Sequence, residues 1–455
     1  MNWISRAIPQ SGVGAFWLGF GACLVICLLI VFVVAPLTGV SQEFGPGHDG
    51  YIELAENIGQ GNGYVFEEGG PPVFHRPPLY PVLLVPITYL PKAFQRPGLI
   101  LLHSVMVGIV ASLVFGIGRR LFGSRTGGVG VVVLLVSPWL YWNAKNPMTV
   151  ILQGMLYTLF AALVGGEILA VLDRAPERPG RMSSPARTLC IAVVGAALAL
   201  THAAMLAVSI VGLAGLFVVG VLRRRYKPVV VSIAAAVIMA GLIGPWTYRN
   251  WVTFGRFIPV SGGAGLAYFN GNVHWKCIEA EPQRNGETYI DASLRVLGIE
   301  GTEKTVTHWK GFTDIELEDK ANEKMIEHIR THSGVFAKKF LLNAVEYYFP
   351  AFVCRWRAVK DFGWEESTIT VFNLAIWILA LVGFLRSRKE DGNGRAGWLI
   401  LSGVAIYAIW YLPFATFITH SLYKFGTVPL LSILAARGLV SRKRPVVYLS
   451  QTSAS

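Results

Sequence analysis

Charge is scarce in this chain: Asp, Glu, Lys and Arg make up 15% of 455 residues, against 53% hydrophobic. That balance excludes an ordinary soluble enzyme and points to an integral membrane protein. Acidic residues are scarcer still, 27 against 40 basic, for a net charge of +13. The Arg and Lys come as short clusters between apolar runs, which is the positive-inside pattern and argues against a nucleic-acid partner. Cysteine is rare, with five in all. Cys23, Cys27 and Cys190 fall in apolar runs where a thiol behaves as a small hydrophobe, leaving Cys277 and Cys354 as the only pair placed to form a disulfide. Missing altogether are HExxH, paired CxxC and an Asp-rich loop, so a divalent metal has little to hold it and no cofactor is indicated. GxSxG and Walker motifs are absent too, which argues against hydrolase or ATPase chemistry. No repeat of fixed period or long low-complexity tract interrupts the pattern.

What is abundant is apolar length. A spanning helix needs about 20 apolar residues, and candidates lie near 15–37, 98–118, 126–142, 149–172, 188–203, 204–222, 228–247, 368–386, 396–415 and 423–440, ten in all. The first is too long for a signal-peptide core and lacks an Ala-x-Ala cleavage site, so it is expected to stay as an anchor. Residues 77–91 are apolar but short and interrupted by Pro81 and Pro86. If that stretch lies in the interface without crossing, five clusters fall on one side: Arg119/Arg120/Arg125, Arg174/Arg178/Arg181/Arg187, Arg223/Arg224/Arg225/Lys227, Arg386/Arg388/Lys389 and Arg442/Lys443/Arg444. Both termini are then cytoplasmic, and the acidic first loop and the polar stretch 248–366 are external. Three regions follow: 1–247, an N-terminal membrane module with its first external loop at 38–97; 248–366, an external segment; and 367–455, a C-terminal membrane module with a cytoplasmic tail. Residues 314–348 read as a helix suited to the outer membrane surface.

The first loop crowds chemistry into HDGYIELAENIGQGNGYVFEEGGPPVFHRPPLYP, residues 48–81, far more than a connector needs. Asp49 can accept a proton from a hydroxyl nucleophile held near it; the alternative is that it caps the helix that follows. Tyr51, Leu54, Ala55 and Ile58 share one face of that helix. His48, Tyr51 and His75 are pocket candidates. Arg76, just before Pro77 and Pro78, sets a guanidinium where a phosphate can be bound by two parallel hydrogen bonds; a nonspecific headgroup anchor is its plainer role.

A second feature is GPWTYRNWVTFGRFIPVSGGAGLAYFNGN, residues 244–272. Arg249 follows the last apolar turn, Trp246 and Trp251 read as interfacial aromatics, and Gly262 to Gly265 with Asn270 and Asn272 offer donors to a polar ligand. His202 stands at the outer end of one span, with headgroup contact as its plainer reading, and His420, Tyr423 and Lys424 gather at the outer end of the last.

Taken together these motifs resemble the polytopic GT-C glycosyltransferases that use polyprenyl-phosphate sugars, a group including protein O-mannosyltransferases and lipid A aminoarabinose transferases. DGYIELAENIGQGNGY with HRPPLYP is similar to that family's Asp-bearing juxtamembrane helix and basic-then-Pro segment; PWTYRNWVTFGRFIPVS is similar to its Pro-Trp-x-x-Arg-Asn junction, and LYKFGTVPLL to the Tyr-Arg motif opening its last span. The resemblance implies a GT-C-like α-helical polytopic bundle of about ten transmembrane helices, with juxtamembrane helices and a small external α/irregular domain. It implies Asp49 as the catalytic carboxylate, Arg76 at donor phosphate, and Arg249 and Lys424 as further phosphate contacts. Where some relatives carry a second acid before Pro-Met this chain has Asn146, and where many bacterial relatives have Arg it has His202.

The function expected is transfer of a sugar from a polyprenyl-phosphate donor to a hydroxyl of a lipid, glycan or protein acceptor. Inversion on the outer face of the cytoplasmic membrane is the course expected. A transporter or flippase of lipid-linked saccharides is the alternative, but no pair of Gly/Pro-broken spans recurs in matching halves to support it.

Overall fold

The computed structural model describes residues 8–38, 50–173, 184–265, 267–268, 295, 315–348, 364–390, 394–410, 412 and 426–440. His48, Asp49, Asn270, Asn272, Cys277, Cys354, His420, Tyr423 and Lys424 lie outside them. Among the described residues the chain is helical, and the single β contact is an isolated antiparallel bridge between Val65 and Pro72.

The first span is α1 (Gly12–Leu29), capped by the Ser11 hydroxyl accepting from Gly14 N–H and prolonged by a π-helical turn, Ile30–Val34. The first loop contains α2 (Tyr51–Gln60) and α3 (Leu79–Thr88). Ten helical residues rise about 15 Å, half of a hydrocarbon core of about 30 Å, so α3 is too short to cross. It pairs instead with α2, Tyr80 against Tyr51 at one end and the Tyr89 hydroxyl donating to Gly59 O at the other. Then follow α4 (Lys92–Phe122), α5 (Ser124–Leu135), α6 (Pro138–Ala144), α7 (Val150–Leu172), α8 (Ser184–Thr201), α9 (Ala204–Leu222) and α10 (Tyr226–Phe254). The stretch expected to be external holds α11 (Ile315–Thr331) and α12 (Ser333–Tyr348), and the C-terminal part holds α13 (Trp364–Glu390), α14 (Arg395–Ile409) and α15 (Val428–Leu439).

Among the described residues six helices are long and apolar enough to cross a membrane, and the pair α5 and α6, bent by 61°, passes the same test only when taken together, as a broken span or a re-entrant loop. The expected continuous span 126–142 is therefore broken. Pro138 at the start of α6 has no N–H to continue the ladder, and the residue before a proline is pushed out of the helical region; Ser137 sits at ψ +117°. The other three expected spans coincide with shorter apolar helices, α8, α14 and α15. Of the stretch expected to be one helix, residues 315–348 form two, with the break at His332.

In lipid, helix association is driven by close packing of small residues. Gly383 of α13 lies against the Leu434 carbonyl of α15, and Gly438 of α15 lies against the Leu379 carbonyl of α13. Gly19 of α1 meets Ala111 and Gly108 of α4, and Gly118 of α4 meets Gly127 of α5. Helix α15 is enclosed, with every residue from Val428 to Gly438 buried. The two ends of α4 face different surroundings. Near its last turn, Arg119 and Arg120 share an end of the bundle with the ion pairs Arg187–Glu167 (2.6 Å) and Arg395–Asp173 (3.0 Å). Near its first turns it meets the first loop.

Candidate functional site

The chain enters α2 through Gly50, whose φ of +71° lies in the left-handed region that side chains rarely adopt. The N-cap position is thus held by Gly50, with no side chain bonded to the first turn, and Asp49 precedes it by one residue. Tyr51, Ile52, Leu54 and Ala55 are buried. Asn57 ties α2 to the rest of the loop, its amide donating to Glu53 O and Phe66 O, each at 3.0 Å. Leu54, Phe66 and Val73 form a small apolar core beneath the bridged segment, with Tyr64 against it.

That core aims Arg76 back at the start of α2. The Arg76 guanidinium carbon lies 5.5 Å from the centroid of the Tyr51 ring, a cation–π arrangement. Tyr51 is itself fixed edge-to-face on Tyr80 at 5.2 Å. The Tyr80 hydroxyl lies 3.0 Å from His103 Nε2, and His103 Nδ1 lies 2.8 Å from Ala144 O. A carbonyl can only accept, so Nδ1 carries the proton and Nε2 accepts from Tyr80. Tyr80, His103 and Ala144 are all fully buried. A continuous series of contacts therefore runs from Arg76 through Tyr51, Tyr80 and His103 to the end of α6.

Tyr64 holds the other side of Arg76. Its hydroxyl donates to Arg76 O (3.1 Å) and Pro77 O (3.0 Å). Burial pushes this phenol well above the usual tyrosine range, so it stays a donor. Arg249, near the end of α10, is boxed by Tyr64, Trp246 and Phe254, with its guanidinium carbon 5.5, 4.9 and 5.2 Å from the three ring centroids. Nη1 donates to Val73 O at 2.9 Å and to Asn250 Oδ1 at 3.0 Å. Arg249 thus braces the first loop with one nitrogen, and among the described residues its hydrogen bonds are made by Nη1 alone.

The glycine-rich stretch after α10 does something different from the expected ligand contact. The N–H groups of Gly263 and Gly265 donate to Glu318 Oε1 at 3.0 and 3.1 Å, and Asn322 adds a third bond at 3.0 Å. Its donors thus receive a buried carboxylate of α11. Gly263 takes φ +101°, and Gly265 lies against the α11 backbone where a Cβ would collide. Gly262 donates to Phe74 O, one residue before His75, so α11 is tied through this stretch to the loop that carries Arg76.

The remaining candidates are placed as follows. His75 is buried between Phe66 and Phe74. Asn146 is buried after α6 and donates to Trp142 O at 3.0 Å. His202 lies at the α8–α9 junction, where Nδ1 accepts from Ala204 N–H at 3.3 Å. Tyr51, His75, Arg76 and Arg249 come together around the first loop, and Asn146 joins them through Ala144 and His103. Tyr64, Tyr80, His103, Arg96 and Lys145 were not singled out from sequence; a histidine and an arginine inside an apolar span are the kind of signal that marks them. Among the described residues no three His, Cys, Asp or Glu side chains converge to hold a metal.

Neither a family model nor a curated protein matches the sequence. Solved structures do match the fold. The Archaeoglobus fulgidus oligosaccharyltransferase in its apo form aligns with a TM-score of 0.51 at 12% identity, covering 96% of this chain and 51% of that one. Oligosaccharyltransferase AglB from Archaeoglobus fulgidus, in complex with an inhibitory peptide and a dolichol-phosphate, aligns at 0.50 and 12%, covering 95% and 50%. ArnT from Cupriavidus metallidurans bound to undecaprenyl phosphate aligns at 0.37 and 16%, covering 91% and 76%. The chain spans about half the length of the archaeal oligosaccharyltransferases it matches. At such identity the likeness is one of fold, and the protein is a multi-pass helical membrane protein with the GT-C-like architecture that its motifs resemble.

Proposed function

We propose that this protein is a membrane glycosyltransferase that moves a sugar from a polyprenyl-phosphate donor to a hydroxyl acceptor at the outer face of the cytoplasmic membrane. The observation that carries the reading is the placement of the Arg76 guanidinium over Tyr51, at the start of the first-loop helix and two residues beyond Asp49. The shared fold supports it, since a dolichol-phosphate accompanies the archaeal neighbour.

In this reading the acceptor hydroxyl oxygen attacks the anomeric carbon as the bond from that carbon to the phosphate oxygen breaks. Asp49 takes the hydroxyl proton. The polyprenyl phosphate leaves as an anion, so no general acid is needed, and attack opposite the leaving group inverts the anomeric centre. Arg76 meets the charge gathering on the phosphate. Arg249 and the Lys424 ammonium are the further phosphate contacts. Tyr51, His48, His75, Asn146 and Tyr423 are the candidates to line the sugar pocket, and His202 is the outlying one.

The test is to incubate the purified protein with radiolabelled polyprenyl-phosphate sugars and a membrane extract as acceptor source. Appearance of free polyprenyl phosphate together with label in a new product supports transfer. Donor that crosses a bilayer unchanged, with no release of free polyprenyl phosphate, would favour a flippase.

A further inference from the structure

Between Arg96 and Arg119 the long apolar helix α4 carries one ionisable residue, His103. A polar side chain within a span is costly there and marks function. His103 joins three elements: Nδ1–H donates to the carbonyl of Ala144, the last residue of α6, at 2.8 Å, and Nε2 accepts from the Tyr80 hydroxyl of α3 at 3.0 Å. The Tyr80 and His103 rings are nearly parallel, 15° apart in plane with centroids at 6.0 Å. Stability does not explain the pair, because two apolar side chains of the same shape can replace a buried hydrogen bond at little cost. What the bond adds is direction. Tyr80 would give up a buried hydrogen bond by tilting, and the imidazole that receives it is held in turn by its other nitrogen.

That direction reaches Arg76. Tyr80 and Tyr51 stand at 87° with ring centroids 5.2 Å apart, so a tilt of one ring displaces the other, and the Arg76 guanidinium carbon lies 5.5 Å from the Tyr51 centroid. Tyr64 meets the Arg76 backbone instead, through the carbonyl. We infer that His103 is a positioning residue for the donor phosphate: by fixing Tyr80, and through it Tyr51, it sets where the Arg76 guanidinium points. It acts through Arg76 and forms no bond to the substrate. The inference rests on the transferase reading in taking Arg76 as the phosphate contact. A guanidinium grips phosphate by two parallel hydrogen bonds, so its direction matters as well as its charge. A binding group keeps such a geometry only when the side chains behind it are themselves locked.

The test is a double-mutant cycle read as affinity for undecaprenyl phosphate, with all proteins purified in one detergent. His103→Asn keeps a donor amide near the place of Nδ1 for Ala144 O and removes the acceptor that Tyr80 uses. In the wild-type background it should weaken binding about threefold to tenfold, the effect of one hydrogen bond. In the Arg76→Ala background it should cause no further loss, because there is no guanidinium left to aim. His103→Gln, which carries both a donor and an acceptor, should recover part of the affinity. A loss from His103→Asn that is the same in both backgrounds would overturn the inference and leave the phosphate contact of Arg76 standing, since His103 would then act by general packing. Unchanged affinity in the wild-type background would overturn it as well. If Arg76→Ala alone left the affinity unchanged, the phosphate reading of Arg76 would fall, and the inference with it. Should His103→Asn fail to fold, Tyr80→Phe removes the same hydrogen bond from its other end and is read in the same cycle, with the same outcomes deciding.

Discussion

At the scale of single residues, the first loop is built by side chains whose polar atoms are spent on structure, which leaves Arg76 to be aimed by them. Removing a partner from the Tyr80–His103–Ala144 series should show this. Tyr80→Phe leaves a buried imidazole nitrogen without its donor and should cost about 1–3 kcal/mol, seen as a lower melting temperature in detergent. The double variant Tyr80→Phe with His103→Phe should cost less than the sum of the two single changes, because the two side chains act on each other. Strict additivity would mean the hydrogen bond contributes nothing. Glu53 gives a pH signature. Burial raises its carboxyl, with Glu56 adding to the shift, so the folded protein holds this proton to higher pH than the unfolded chain does. Stability from this group is therefore present below the ordinary carboxylate range and lost as pH rises through the raised value. Glu53→Gln should flatten that loss and make the protein more stable at neutral pH; an unchanged stability profile would contradict the assignment. Arg76→Ala should weaken polyprenyl-phosphate binding by roughly 1.5–3 kcal/mol, with Arg76→Lys recovering part of it. Equal affinities would return Arg76 to the role of headgroup anchor.

Between elements, the least legible feature is the clamp of α11 on the glycine stretch. Long apolar runs announce spans because hydropathy is local, and the ten-residue pairing of α2 with α3 is foreshadowed by turn residues and by prolines that shorten the second. Glu318 gives no such sign. It lies 53 residues from Gly265 in sequence, and nothing in its neighbourhood distinguishes a carboxylate that meets backbone donors from one that meets water. Separation in sequence likewise hides His103 from Tyr80, 23 residues away, and Arg249 from Val73, 176 residues away. The bend at Pro138 could be seen in the sequence as a proline within an apolar run, but hydropathy alone reads straight through it. For the clamp, Glu318→Ala should expose the Gly263 and Gly265 amides to faster hydrogen exchange and make α11 easier to cleave, while Glu318→Gln, which keeps an acceptor oxygen, should do less. Identical exchange in all three proteins would show that the carboxylate does not hold α11.

Over the whole molecule, fold and charge distribution agree. The arginines at the last turn of α4 share an end with Arg187 and Arg395, and the first loop meets the opposite end of that helix. A cysteine placed at Lys92 or Gln95 should be reached by an impermeant probe from outside the cell; reach from the cytoplasm alone would invert the topology and remove the loop from the outer face. The fold was readable because membrane helices are written in composition. The contact of Arg76 with Tyr51 was foreshadowed by their place in one loop, while Asp49 lies outside the described residues; the supports of that contact come from distant segments. The central claim is that Asp49 is the base of a sugar transfer. The most direct measurement compares transfer and donor binding by purified wild type and Asp49→Asn, a change that removes a base and little volume. The account predicts a loss of transfer of about 100- to 10,000-fold with donor affinity nearly intact; transfer by Asp49→Asn at the wild-type rate would contradict it.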